Sequence, residues 1–206
     1  MSVFILGLIG LVVLAVVLVL LVRRSRRPAA AAPRVPRDPF APDQDTGGDP
    51  RRLKAGDMVE YLGERLFVRG SLRLTEGGFS WSEHFVDAMD GTEAGRRWLS
   101  VEEDPDLEVH WWHEYRGAEL LPNQHSLTVE GITYHRTEHG TATYRSEGTT
   151  GLGPQGRVEY VDYEGPDGRA LAFERFLGPQ GRGAWEVSLG ERVPNGTLTI
   201  YPGGAA

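Results

Sequence analysis

Val3 to Val22 is an unbroken run of 20 apolar residues, VFILGLIGLVVLAVVLVLLV, without a charge or a strongly polar side chain. No other feature of the chain narrows its options as sharply. As a helix rising about 1.5 Å per residue, the run covers roughly 30 Å, the thickness of one hydrocarbon core. Gly7 and Gly10 are poor helix formers in water but ordinary in a bilayer, where the backbone can pair only with itself. They stand three apart, so the four-residue spacing that dimerises membrane helices is missing. A cleaved signal peptide needs positive charge ahead of a shorter apolar stretch. Here only Met1 and Ser2 precede the run, and the charges follow it. The pattern predicts a transmembrane helix over 1–22.

The arginines set its direction. Arg23, Arg24, Arg26 and Arg27 crowd the exit and no basic residue precedes the run. Positive flanks stay cytoplasmic. The expected topology is a single-pass cell-membrane protein, N-terminus outside and C-terminal domain in the cytoplasm. Prolines at 28, 33, 36, 39, 42 and 50 forbid a helix and a central strand, leaving an extended spacer. Residues 23–50 therefore read as a basic collar and a Pro/Ala-rich linker.

Beyond Pro50 the charge reverses. The whole chain has 22 Lys and Arg against 29 Asp and Glu. Six arginines and four aspartates fall before Arg51, leaving 16 against 25, a net of −9. Such a domain repels a phosphate backbone, which excludes nucleic acid as a partner. The absence of cysteine excludes disulfides, thiolate metal sites and a cysteine nucleophile.

Residues 51–203 alternate with period two. In Leu66 to Leu74 the even positions are nearly all apolar; Phe79, Trp81 and Phe85 share a face, as do Leu107, Val109 and Trp111, and Trp185, Val187 and Leu189. Glycine- and proline-bearing turns punctuate the runs, among them Leu62-Gly63, Gly77-Gly78, Asp104-Pro105-Asp106, Gly165 to Gly168 and Asn195-Gly196, the last read as a hairpin turn. Period two with aromatic and β-branched enrichment argues strands. The expected fold is mainly β: an antiparallel meander, barrel-like or sandwich, with room for one turn of helix between Phe85 and Gly95. An aromatic-x-acid triplet, Trp81-Ser82-Glu83, is echoed by Tyr160-Val161-Asp162. The echo divides the domain into two similar halves, 51–116 and 117–203; the alternative is that any antiparallel chain repeats such patterns.

The residues Leu53-Lys54-Ala55-Gly56-Asp57-Met58-Val59-Glu60-Tyr61, Phe79-Ser80-Trp81-Ser82-Glu83, Trp98-Leu99-Ser100-Val101-Glu102, Val161-Asp162-Tyr163 and Phe173-Glu174-Arg175-Phe176 resemble, in order, a bacterial family known as domain of unknown function 4178. The resemblance implies no established activity and suggests an envelope or membrane-stress setting. The apolar run and spacer are additions to that domain.

Candidate chemistry is sparse. His110 and His113 fall on opposite faces of a strand, and His135 and His139, on one face of a continuous strand, lie roughly 13 Å apart, too far for one metal. No phosphate loop, nucleophile elbow or zinc-protease motif is present. The reading is a non-enzyme with no cofactor, no metal site and no catalytic residue; the alternative is an enzyme whose motif is unrecognised. Its expected partner is another protein, membrane proteins included, which the β domain recruits or scaffolds. One face stands out: Trp81 with Glu83, and Trp98 with Glu102. Either arginines such as Arg96, Arg97 or Arg175 neutralise these acids in a structural network, the favoured reading, or the face takes a small organic cation such as a polyamine.

Overall fold

The computed structural model describes residues 48–90, 96–178 and 181–203. The apolar run, the collar Arg23, Arg24, Arg26 and Arg27, and the linker as far as residue 47 lie outside the described residues. Among the described residues no helix is long and apolar enough to cross a membrane. Gly48 to Pro50, the end of the expected spacer, already belong to the folded part. Asp49 caps a short 3-10 turn, Pro50–Arg52, by accepting from the Arg51 N–H.

Twelve strands follow among the described residues. They are β1 (Met58–Tyr61), β2 (Glu64–Glu76), β3 (Phe79–Asp87), β4 (Arg96–Glu103), β5 (Leu107–Glu114), β6 (Ser126–Val129), β7 (Ile132–Gly148), β8 (Gln155–Glu164), β9 (Arg169–Gly178), β10 (Gly181–Arg182), β11 (Glu186–Arg192) and β12 (Thr199–Tyr201). In the stretch from Phe85 to Gly95, where a turn of helix was expected, residues 91–95 lie outside the described residues and β3 continues to Asp87. Its alternation of half-buried and buried residues persists to Val86, and Asp87 is buried as well.

Every pairing is antiparallel, and the sheet closes on itself. The path β2-β3-β4-β5-β11-β9-β8-β7 returns to β2 through the β2–β7 ladder, Gly70 opposite Gly148 to Thr75 opposite Thr143. This is an eight-stranded barrel, a size whose interior side chains nearly fill, with room for at most a small ligand. Four of its strands come from 64–114 and four from 132–192. The first four are joined to the second four by β5–β11 and β2–β7. Each set is entered by a two-residue hairpin with positive φ at both positions, Leu62-Gly63 and Glu130-Gly131, the turn whose twist matches the strands it joins. Asn195-Gly196 turns the chain between β11 and β12. It makes no hairpin, because β12 pairs with β1 and β11 lies between β5 and β9.

The register shows which side chains face in. Each directly opposed pair points to one side of a sheet, and following the pairs round the ring gives one inner face. Leu74 opposes Trp81, Phe85 opposes Trp98, Trp98 opposes Trp112, Glu186 opposes Glu174, Glu174 opposes Tyr160, and Tyr144 opposes Leu74. Inside, Leu72, Leu74, Ala142, Tyr144, Val158 and Tyr160 form a buried cluster with Trp81, Trp98 and Phe176 against it.

The outer face is equally apolar over much of its area, because it is covered. Val86, Leu99, Val101, Val109 and Trp111 lie under β1, β12, Leu53, Val193 and Leu198. Val161, Tyr163, Leu171, Phe173 and Leu189 lie under β6 and the start of β7, with Tyr115 and Leu120 against them. The two adjacent tryptophans thus have different roles. Trp111 is 7% exposed and packs on Tyr61 outside the ring, while Trp112 lies inside and donates its indole N–H to Ser100 Oγ at 2.8 Å.

Candidate functional site: an acidic barrel lumen

The inner face carries carboxylates that alternation alone would assign to solvent. On β3, Glu83 accepts a hydrogen bond from the Trp81 indole N–H at 3.0 Å and meets the carboxyl of Glu174, which reaches across the lumen from β9. Burial is the largest cause raising both proton affinities. For Glu174 the charges of Glu83, Asp162 and Glu186 add to it, and its carboxyl goes well above the usual range. Glu83 is raised less, because the Trp81 and Glu174 hydrogen bonds stabilise its ionised form.

Asp162, on the inner face of β8, is pushed up to about 8, first by burial and then by Glu83, Glu138 and Glu102. It pairs in register with Glu138 on β7. Glu102, at the same end, is raised by burial and by Glu138, Glu108 and Asp104. Tyr160 links this end to β2: its hydroxyl lies 2.7 Å from Glu76 Oε2 and 3.1 Å from Glu138 Oε1. Burial and these two acids hold the phenol protonated far above its ordinary value. Glu76 is fixed by the Thr141 N–H at 3.0 Å. It packs closely on Gly140: a Cβ there would sit 2.5 Å from Glu76 Oε2, so a side chain at 140 would displace that carboxylate.

No Lys or Arg among the described residues pairs with Glu83, Glu174, Asp162, Glu138 or Glu102. The expected neutralisation by Arg175 is absent for a simple reason of parity. Residue 175 is odd on β9 and faces out, where its guanidinium bonds Glu159 and lies 4.3 Å over the Trp185 ring. Arg97 also faces out and bonds the Arg96 carbonyl at 2.8 Å. Arg96 sits opposite Asp87, at the other end of β4 from Glu102.

Of the four residues singled out in sequence, all face the lumen, but they divide into layers. Trp81 and Glu83 are hydrogen-bonded. Trp98 packs on Phe85 with ring centroids 5.5 Å apart, toward the other mouth from Glu102. That mouth opens into a cleft of about 1000 Å³ in which Phe85, Trp98, Trp112, Tyr115 and Trp185 are all half-buried. Glu186, opposite Glu174, marks the passage from cleft to acids, and burial followed by Glu114 raises its carboxyl too.

The histidines stay apart. A bulge between Arg136 and Glu138 adds one residue to β7, which reverses the alternation. His135 and His139 therefore face opposite sides rather than sharing one. His110 faces in beside Trp112, and burial is the main cause lowering its pKa. His84 is fully buried outside the ring, between Ser71 Oγ at 2.8 Å and Ser82 Oγ at 3.0 Å. Burial, with Arg73 nearby, lowers its pKa to about 3, Asp57 opposing. Among the described residues no group of three or more His, Asp or Glu has the geometry to hold a metal ion.

Asp162 and Glu174 are the members that sequence reasoning missed as site residues. The signal available was the echo of Trp81-x-Glu83 in Tyr160-x-Asp162, whose four side chains all face one lumen; Trp81 and Tyr160 meet edge to face at 5.7 Å.

A closed antiparallel barrel, its outer face covered and its lumen lined by carboxyl groups, is the class of protein these residues define. The chain belongs to the family described as Domain of unknown function (DUF4178), whose model matches residues 54–195. Uncharacterised proteins of Mycobacterium tuberculosis and Mycobacterium bovis are 39% identical to it over 160 residues, which cover 74% of this chain and 73% of theirs. No solved structure matches it.

Proposed function

We propose that this chain is a membrane-anchored binding protein, not an enzyme, whose barrel lumen receives a small organic cation. The observation that carries the reading is the half-buried Glu83–Glu174 pair with Asp162 beside it, acids that no basic side chain among the described residues meets. Burying carboxyl groups together costs several kcal/mol, and a cation arriving among them recovers part of that cost. The Trp81 and Tyr160 rings add faces that attract organic cations. Spermidine titrated into the protein, followed by calorimetry and tryptophan fluorescence, tests it. Binding is expected in the parent and its loss in the double variant Glu83→Gln, Glu102→Gln, with thermal melts no lower than the parent's. No binding to the parent refutes the reading.

The scaffolding role has its own support in the aromatic cleft at the opposite mouth, since half-buried Trp and Tyr are the side chains that dominate protein interfaces. Cross-linking in membranes, abolished by Trp112→Ala together with Trp185→Ala, tests that role, and capture unaffected by these changes counts against it. The apolar run 3–22 supports the anchor, and Arg23, Arg24, Arg26 and Arg27 support a cytoplasmic domain in an envelope or membrane-stress setting. Protease added to inverted membrane vesicles is expected to digest the chain after Pro28. Digestion only from the other side overturns the orientation.

A further inference from the structure

The ring has two covers built alike and finished differently on the side away from the core. One is β12 and β1 with the start of β2, the other β6 with the start of β7. In the second, Leu127, Val129 and Tyr134 face the core, and the opposite side shows Thr128 opposed to Thr133 and Ser126 opposed to His135. In the first, Val59, Leu66 and Ile200 face the core, but the opposite side carries a row of large apolar side chains. Tyr201 opposes Met58, which in turn opposes Phe67, and Tyr201 and Phe67 are each 40% exposed. The entering turns differ in the same way. Glu130 holds the first position of one and Leu62 that of the other, both with φ of 51°; Leu62 is 79% exposed. Asn, Asp or Gly is the usual residue at such a position. Hydroxyls and a carboxylate satisfy this side of the second cover, so packing gives no reason for the apolar row on the first.

Charge divides along the same line. Residues 51–73, which form the 3-10 turn, β1 and most of β2, hold six basic side chains against three acidic ones, whereas residues 74–206 hold 10 against 22. β12 adds no charge to the first cover. Arg52 is exposed and has no ion pair among the described residues. Arg65 pairs with Glu60 at the surface, a contact that contributes little in water and that a phosphate can replace. The chain also enters here: a Cβ on Gly48 would sit 2.9 Å from the Ile200 Cβ.

We propose that the outward side of the first cover docks on an anionic lipid surface. The proposal rests on the membrane-anchored reading above and adds the face by which the domain meets lipid. Leu62 and Phe67 enter the headgroup layer. Tyr201 suits its boundary, with an apolar ring and a hydroxyl directed to Glu60. Arg52 and Arg65 meet headgroup phosphates, an attraction that salt weakens. The same surface repels residues 74–206, net −12, so an anionic bilayer selects this cover and turns the rest of the domain away.

The chain has no cysteine, so Leu62→Cys and, separately, Glu130→Cys each carry a single nitroxide at matching turns. The full chain is placed in vesicles of phosphatidylcholine with phosphatidylglycerol, and in phosphatidylcholine alone. Collision of the label with oxygen, which partitions into lipid, is compared with collision with a water-soluble nickel chelate present on both sides of the membrane. In the anionic vesicles the oxygen-to-nickel ratio is expected to be several-fold higher at 62 than at 130. It is expected to fall toward the value at 130 in phosphatidylcholine alone, and when Phe67→Gln and Tyr201→Gln are added. Should that last variant not fold, the two labels on the otherwise unchanged chain still decide. Equal ratios at the two sites in anionic vesicles overturn the proposal, and a ratio at 62 just as high without phosphatidylglycerol overturns its electrostatic half. A label at 62 shielded from oxygen and nickel alike also overturns it, because a second copy or another protein then covers the flank. A carbonate wash of the same vesicles separates the two readings. Chain that stays with the lipid upholds the anchor whatever the labels show, and chain that washes off overturns the anchor and the proposal with it.

Discussion

Replacing Asp162 by asparagine is expected to stabilise the ligand-free protein, and the size and pH dependence of the gain follow from its surroundings. In an unfolded chain the carboxyl has its ordinary pKa of 3.8, and in the barrel about 8. Each tenfold difference in proton affinity is about 1.4 kcal/mol. Below pH 3.8 the group is protonated in both states and costs nothing. Above it the unfolded chain sheds a proton that the folded chain keeps, so stability falls as pH rises, until about pH 8, where both states ionise and the loss stops growing. At pH 7 the cost is of order 4 kcal/mol. Asparagine removes the ionisation and keeps the shape. A chain of this size gains roughly 2–4 °C in melting temperature per kcal/mol, so an increase of about 10 °C at pH 7 is the upper expectation. Thermal melts from pH 4 to 9, with no amine present, measure it: the two proteins should coincide near pH 4 and diverge upward. A variant less stable than the parent at pH 7, or a gain independent of pH, refutes the argument that Asp162 sits uncompensated in the lumen.

Three other perturbations report on separate parts of the structure. Phe173→Ala empties a fully buried site under β6 and should cost about 3–5 kcal/mol, read as a lower midpoint in urea with little change in slope. Gly70→Ala places a Cβ 2.5 Å from the Thr149 carbonyl oxygen, a backbone atom that cannot swing aside, beside the bulge where β2 begins its seam with β7. A strong loss of thermal stability is expected, and a melt unchanged from the parent contradicts the seam. His84, with its pKa at about 3, should keep a neutral imidazole spectrum by nitrogen NMR at pH 5, where an ordinary histidine is protonated. Its share of stability is lost only as pH falls from 6.5 toward 3.

The strands were legible in sequence and their closure was not. Leu66 to Leu74 alternates as cleanly in a sandwich as in a barrel. What distinguishes them is the ladder from Leu72 to Ser146, a contact between distant segments with no local signature. The same limit hid half of the site. Trp81 and Glu83 could be put on one face from spacing alone. Glu174, however, sits between Phe173 and Arg175, and a polar residue alternating with apolar ones reads as facing solvent. Here β1, β12 and β6 cover the outside of the ring, so the apolar face is covered from without and the polar one becomes the lumen. The covering depends on where β12 and β6 dock, which the sequence of β9 does not encode. The bulge in β7 is a further case: a single inserted residue separated two histidines that unbroken alternation placed together.

The two seams also bear on how the chain reaches this state. Within each set of four strands neighbours are joined by short turns or hairpins, whereas Leu72 must find Ser146, and Trp112 must find Gly190, each about 75 residues away. Both searches carry a loop-closure cost that the local meanders do not. Until both seams are made, the lumen is an open sheet face and its carboxyl groups stay hydrated, with ordinary acidity. Ring closure and proton uptake by Glu174 and Asp162 are therefore one event. In a weakly buffered solution near pH 6, a pH indicator mixed with refolding protein would time the moment the barrel shuts, later than the appearance of β signal.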